Sequence, residues 1–110
     1  MKPAHKKLWG LLVSAAVVAG TAWAAQEHVV GQKNKAFTVK TLTIKVGDTV
    51  KFSNDDSFSH NVFSLSDAKN FDSGPTPAGQ SRSVTFDKPG KVEVECAVHP
   101  DMQMVIEVKP

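Results

Sequence analysis

The chain has 110 residues, one cysteine, two tryptophans, no tyrosine and a formal net charge of +2. That length holds one small domain and excludes a two-domain enzyme closing over a cleft. A composition of 41% hydrophobic and 22% charged residues excludes wholesale disorder, and the basic balance makes nucleic acid or an anionic membrane a partner only if the basic residues share a surface.

They are not evenly spread. Lys2, Lys6 and Lys7 stand in a start without acids, Leu8 to Gly20 carries no charge, and Ala22 and Ala24 occupy the −3 and −1 positions before Ala25. A positive start, a short apolar run and an Ala-x-Ala end are the parts of a secretory signal. Residues 1–24 are therefore expected to be cleaved on export, leaving a domain over 25–110 in the periplasm. An uncleaved anchor is the competing reading, since Leu8 to Ala25 is uncharged and only just reaches spanning length. The alanine content and the cleavage signature favour removal, with no membrane insertion afterwards. No Arg-Arg pair is present, which points to the general secretory route. Three lysines and both tryptophans leave with the signal, so ten basic side chains face eleven acidic ones and the net charge becomes −1. Nucleic acid is not an expected partner.

The rest alternates with period 2. His28 to Gln32 reads as a first strand and Ala36 to Val39 as a weaker extended piece. Leu42 to Val46 and Thr49 to Phe52 flank Gly47-Asp48, which predicts a hairpin or a tight strand corner. Asn61 to Leu65, Ser81 to Phe86, Lys91 to Cys96 and Met104 to Val108 are further strands, with at most a helical turn around Ser66 to Asn70. Seven or so short strands predict an all-β sandwich or barrel. So small a domain gains from a staple, and one cysteine cannot make an internal disulfide.

Cys96 ends an alternating strand, and CAVHPDM places a thiolate, an imidazole (His99) and a thioether (Met102) before the next strand. Soft sulfur with imidazole selects copper over zinc, calcium or magnesium, and the chain has too few Cys and His residues for a structural zinc site. A second imidazole completes a His₂Cys set with a long axial Met, the electron-transfer copper arrangement. His60, at the start of HNVFS after the loop Asn54 to Ser59, suits this better than His28. Met104 lies at a longer spacing from Cys96 and is an alternative axial ligand. It shares a strand face with Ile106 and Val108, so core packing already accounts for it, whereas Met102 precedes the strand.

The segments VGDTVKFSN, HNVFS and CAVHPDM resemble the type 1 blue copper proteins, the cupredoxins of the plastocyanin and amicyanin branch. The similarity is clearest from about Leu42 to Val108. The short Cys–His–Met spacing is similar to amicyanin and to cupredoxins grouped with methylamine utilisation; plastocyanin-type loops have two more residues between His and Met. The resemblance implies a small Greek-key β-sandwich or barrel with one type 1 copper ion on His60, Cys96, His99 and Met102. It also implies Asn61 as the outer residue joining the two ligand loops. Val98 departs from the proline usual before the second His. Its N–H, which proline lacks, is expected to face the Cys96 sulfur, so that Val98→Pro would lower the reduction potential.

The function implied is a monomeric electron shuttle, not an enzyme. Its redox partners, by resemblance, include a quinoprotein dehydrogenase or a c-type cytochrome. A copper carrier or metallochaperone would use the same ligands in an open, labile site. The competing readings of Cys96 are a buried structural thiol and a Cys–His nucleophile, the latter without candidate acids in a cleft. If cleavage fell after Ala25, Gln26-Glu27-His28 could bind Cu(II) in a square plane; otherwise His28 is a surface residue of the first strand. Asp55-Asp56 reads as a solvated loop. Pro75, Pro77, Ala97, Val98 and Pro100, with Phe58, are candidates for an apolar docking rim around His99, although GPTPAGQ reads equally as a plain loop.

Overall fold

The computed structural model describes residues 24–110, so all but the last residue of the expected export signal lies outside the described residues. Nine strands follow in order: β1 Glu27–Lys33, β2 Ala36–Phe37, β3 Thr41–Lys45, β4 Thr49–Asn54, β5 Val62–Ser66, β6 Lys69–Asp72, β7 Ser81–Thr85, β8 Gly90–Cys96 and β9 Gln103–Lys109. One sheet runs β2-β1-β4-β7 and the other β3-β9-β8-β5-β6. The pairs β1–β4 and β3–β9 are parallel, and the remaining pairs are antiparallel. Among the described residues no helix is long and apolar enough to cross a membrane.

Alternation sets the faces. In β8, Val92, Val94 and Cys96 point inward, and in β9 Met104, Ile106 and Val108 do the same. They meet Val30, Val50, Phe52, Val62 and Phe86 in one core. Phe52 sits between Phe37 and Phe71 with ring centroids 6.3 Å from each, and Phe71 continues to Phe86 at 6.2 Å. These offset and edge contacts add to the area the rings bury.

One expectation is narrowed and another changes. Gly47-Asp48 is a corner rather than a hairpin, because β3 and β4 belong to different sheets. Gly47 takes φ +97° there, a left-handed conformation that glycine adopts without steric cost. The region Ser66 to Asn70 is no helical turn: Ser66 pairs with Lys69 across a tight β5–β6 hairpin, and Lys69–Asp72 is an added edge strand. It is too short and too polar for its period to register in the sequence. The β1–β2 connection is a two-residue hairpin, Lys33 opposite Ala36, with Asn34 at φ 55° and Lys35 at φ 58°. Positive φ at both central residues matches the twist of the flanking strands.

Asp48 locks the corner. Its carboxylate accepts the Gln26 N–H at 2.9 Å and the Lys45 N–H at 3.0 Å, and lies 2.9 Å from His28 Nε2. Gln26 and His28 are therefore engaged by Asp48 and the β1 ladder. This places them in the fold and not in a planar N-terminal copper site, and makes His28 a half-buried partner of Asp48. The His28 hydrogen bond and the Gln26 N–H hold the Asp48 carboxyl down to about 2 from 3.8, against burial, with the Lys45 N–H adding to the effect.

A carboxyl lowered on folding stabilises the fold above its unfolded pKa and loses that contribution as pH falls through the folded value. Asp48 should thus contribute about 1–2 kcal/mol at pH 7, allowing for solvent close to the chain surface. That contribution should be lost between about pH 4 and pH 2. Denaturant unfolding of Asp48→Asn should show this loss at pH 7 and a flatter acid limb; an unchanged acid limb would contradict the assignment.

Candidate metal centre

Strands β1, β4, β5 and β8 bring their loops to one end of the sandwich. Cys96 is the last residue of β8, His60 lies just ahead of β5, and His99 and Met102 stand in the loop returning to β9. Three backbone contacts fix this loop. The Ala97 N–H donates to the Asn61 carbonyl at 2.8 Å, the Met102 N–H to the His99 carbonyl at 2.9 Å, and the Cys96 N–H to the Met102 carbonyl at 3.3 Å. His60 is held by a mutual pair of backbone bonds with Thr76, 3.1 and 2.7 Å long. GPTPAGQ is therefore more than a plain loop: its Thr76 is buried against the His60 backbone, with Pro75 and Pro77 exposed on either side.

His60, Cys96 and His99 offer donor atoms that all lie within 4.8 Å of one another. Cys96 Sγ is 3.6 Å from His60 Nδ1 and 3.9 Å from His99 Nδ1. An ion about 2.0 Å from nitrogen and about 2.3 Å from sulfur subtends roughly 3.7 Å between them at a trigonal angle, so the three atoms fit one metal. His60, Cys96 and Met102 are at most 2% exposed, while His99 is half-buried. The set therefore excludes water from one side and reaches the surface through one imidazole. His28 takes no part, being bound to Asp48 at the opposite end.

Both candidate methionines are buried, so burial does not separate them. Register does. Met104 pairs with Val94 and Gln103 with Glu95, which puts Met102 opposite Cys96. Met104 lies two residues further down the ladder, about 7 Å deeper at the usual strand rise, in line with Ile106 and Val108.

Asp56 is a neighbour of the ligand set that the sequence did not reveal. Asp55 is exposed, as a solvated loop requires, but Asp56 is buried. Its Oδ2 lies 2.8 Å from His60 Nε2, and its carboxylate accepts the Asn34 N–H at 2.7 Å and the Lys35 N–H at 3.1 Å. Burial pushes the Asp56 carboxyl up, but the bonds from His60, Asn34 and Lys35 outweigh it and hold the group below the ordinary carboxylate range. A carboxylate only accepts, so in the neutral ring the proton belongs on Nε2 and a free lone pair on Nδ1. Buried Asn54 shapes the same loop: its Nδ2 donates to the carbonyls of Phe58 and Thr76, and its Oδ1 accepts the Asp56 N–H. An acid four residues before a ligand His was the available signal for Asp56; nothing in the sequence marked Asn54.

Asn61 joins the ligand loops through its main-chain carbonyl, which accepts the Ala97 N–H. Its side chain donates to Asp72 Oδ1 at 2.7 Å. The polar neighbours of Cys96 Sγ are the two imidazoles, His60 at 3.6 Å and His99 at 3.9 Å. Val98 itself is 55% exposed and forms a shallow depression with Lys35, His99, Pro100 and Asp101. Phe58 lies beside the site, 5.4 Å from the His60 ring and 5.3 Å from that of His99.

Two imidazoles, a thiolate and a thioether at one end of a two-sheet sandwich define a mononuclear type 1 copper protein of the cupredoxin fold, with copper as its cofactor. The family model for copper binding proteins of the plastocyanin/azurin family matches residues 24–109, and the chain belongs to that family. Within it the chain is of the amicyanin type. It is similar to the structure of a Cu(I) amicyanin variant at 26% identity and TM-score 0.70, covering 83% of this chain and 88% of that one. A second, reduced amicyanin variant at pH 4 gives 28% identity with the same TM-score and coverage. A copper-containing nitrite reductase from Thermus scotoductus SA-01 matches at 28% identity and TM-score 0.72 over 81% of this chain, which spans only 24% of the reductase. No curated protein sequence matches.

Met102→Leu should change the visible absorption and EPR spectrum of the copper-loaded protein, and Met104→Leu should leave both essentially intact. The reverse pattern would transfer the axial role to Met104.

Proposed function

We propose that the protein is a periplasmic, monomeric electron carrier, holding copper on His60, Cys96, His99 and Met102 and passing single electrons between redox proteins. Copper-based electron transfer is the general property of the family to which the chain belongs. When bound, copper supplies a one-electron couple between Cu(II) and Cu(I). The observation that carries the reading is the contrast within the ligand set: three donors sealed in the protein and one imidazole at its surface.

The chain's own residues do the rest. Backbone bonds from Cys96, Ala97 and Met102 hold the loop, so little protein rearrangement accompanies a change of charge at the site. His99 offers the short path to a partner. Around it Ala97, Val98 and Pro100 are exposed, as are Phe58, Pro75 and Pro77, which suits the small, weak interface of a redox encounter. A c-type cytochrome or a quinoprotein dehydrogenase is the class of partner proposed. Release of copper would have to free Cys96, which is 2% exposed and backbone-bonded on both sides, so this closed site favours electron carriage over copper delivery. An enzymatic role is not proposed.

The purified copper-loaded protein should show an intense thiolate-to-copper band, a type 1 EPR spectrum and a reversible one-electron wave. Cys96→Ser should abolish the band while keeping the β-sheet circular dichroism. Absence of the band in the parent protein would overturn the reading; copper transfer to an acceptor without a reversible wave would establish the carrier alternative.

A further inference from the structure

His60 is a proposed ligand in direct contact with a charged side chain, that of Asp56. It is a fully buried imidazole with both nitrogens engaged: Nδ1 faces the Cys96 sulfur at 3.6 Å and Nε2 faces Asp56 Oδ2 at 2.8 Å. Asp56 is in turn fixed by the N–H groups of Asn34 and Lys35, which the β1–β2 turn presents together because both residues hold positive φ. That conformation is disfavoured at a residue with a Cβ, and the two hydrogen bonds to a charged acceptor offset it. Lys35 then lies with Nζ 5.9 Å from the centroid of the Phe58 ring, which itself touches both ligand imidazoles. A continuous chain of contacts thus runs from the β1–β2 turn through Asp56 to His60.

We infer that Asp56 is a positioning residue for the copper site: it fixes the His60 ring with Nδ1 towards Cys96 and biases the site towards Cu(II). The inference rests on the copper reading above. The geometry assigns the orientation, since a carboxylate cannot donate and so holds the ring proton on Nε2. The bias is electrostatic. A buried negative charge hydrogen-bonded to a ligand makes that ligand more basic and favours the more positive ion, because both groups are shielded from water. Asp48 is an internal comparison. It too accepts two backbone N–H groups and contacts a histidine, but at the far end of the sandwich, where its role ends with the fold.

The test is Asp56→Asn, which keeps the shape of the side chain and one acceptor oxygen for one of the two turn amides while removing the charge. The copper-loaded variant and parent are compared by redox titration at one ambient potential. The Cu(I):Cu(II) ratio should rise about tenfold, equivalent to a potential about 59 mV higher for one electron, and the His60 nitrogen hyperfine coupling in the EPR spectrum should change. Asp55→Asn removes the same charge from the exposed neighbour, and Asp48→Asn breaks the same hydrogen-bond pattern remote from the metal; neither should move the ratio by more than about twofold. A change smaller than about threefold in Asp56→Asn, or a shift towards Cu(II), would overturn the proposal, as would an equal response in Asp55→Asn. Loss of copper-free thermal stability without any shift in the ratio would reduce Asp56 to a structural role and overturn it too. Should Asp56→Asn fail to fold, nitrogen NMR of the copper-free parent decides: a proton on Nε2 of His60 is expected, and a proton on Nδ1 alone would refute the orientation. A parent without the blue band would instead refute the copper reading itself, so the two failures are distinct.

Discussion

A carboxylate that accepts two backbone N–H groups and contacts one imidazole occurs twice in this small domain, and strand β1 hangs between the two. Asp48 receives Gln26 and His28 at the start of β1, and Asp56 receives Asn34 and Lys35 in the turn that ends it. Hydrogen bonds to a charged acceptor are roughly twice as strong as neutral ones. Both carboxyls are held below their ordinary range by these bonds, so each adds to the folded state at neutral pH. A domain with no disulfide and a limited core gains from having its N-terminal strand fastened at both ends.

The parallel register of β1 and β4 gives that fastening its functional meaning. Two parallel neighbours finish at the same end of a sheet, so the turn after β1 arrives beside the loop after β4. That loop carries Asp56 and leads to His60. On the opposite sheet β8 ends at Cys96 beside Val62 of β5, which brings the thiol against the imidazole. The metal centre is thus where both sheets terminate, and its outer contacts come from strands far apart in sequence. Burying a carboxylate there would be costly if it stood alone; with two amides and a ring N–H around it, the cost is offset.

The ligand residues were legible because their chemistry is concentrated in a short stretch. Cys96, His99 and Met102 lie within seven residues, and alternation in β8 and β9 places that stretch between two strands. The strands themselves were legible wherever an inward apolar residue alternates with an outward polar one, as in Val92 to Cys96. β6 was not, because Lys69-Asn70-Phe71-Asp72 offers one inward aromatic and no repeat. The Gly47-Asp48 pair was ambiguous for a different reason. A tight turn within one sheet and a corner between two sheets demand the same positive φ from glycine, and only pairing partners distinguish them.

By itself the sequence determined a β domain, a soft-sulfur and imidazole donor set that suits copper, and the residues that supply it, because strand period and ligand chemistry are properties of neighbouring residues. Tertiary structure decided which methionine stands opposite Cys96, that Asn61 joins the loops through its carbonyl and not its amide, and that Asp56 faces His60 while Asp55 faces water. Each of these depends on the register between strands or on the direction of a side chain in a loop. Such relations are set by contacts with distant segments, and the sequence around the residue does not encode them.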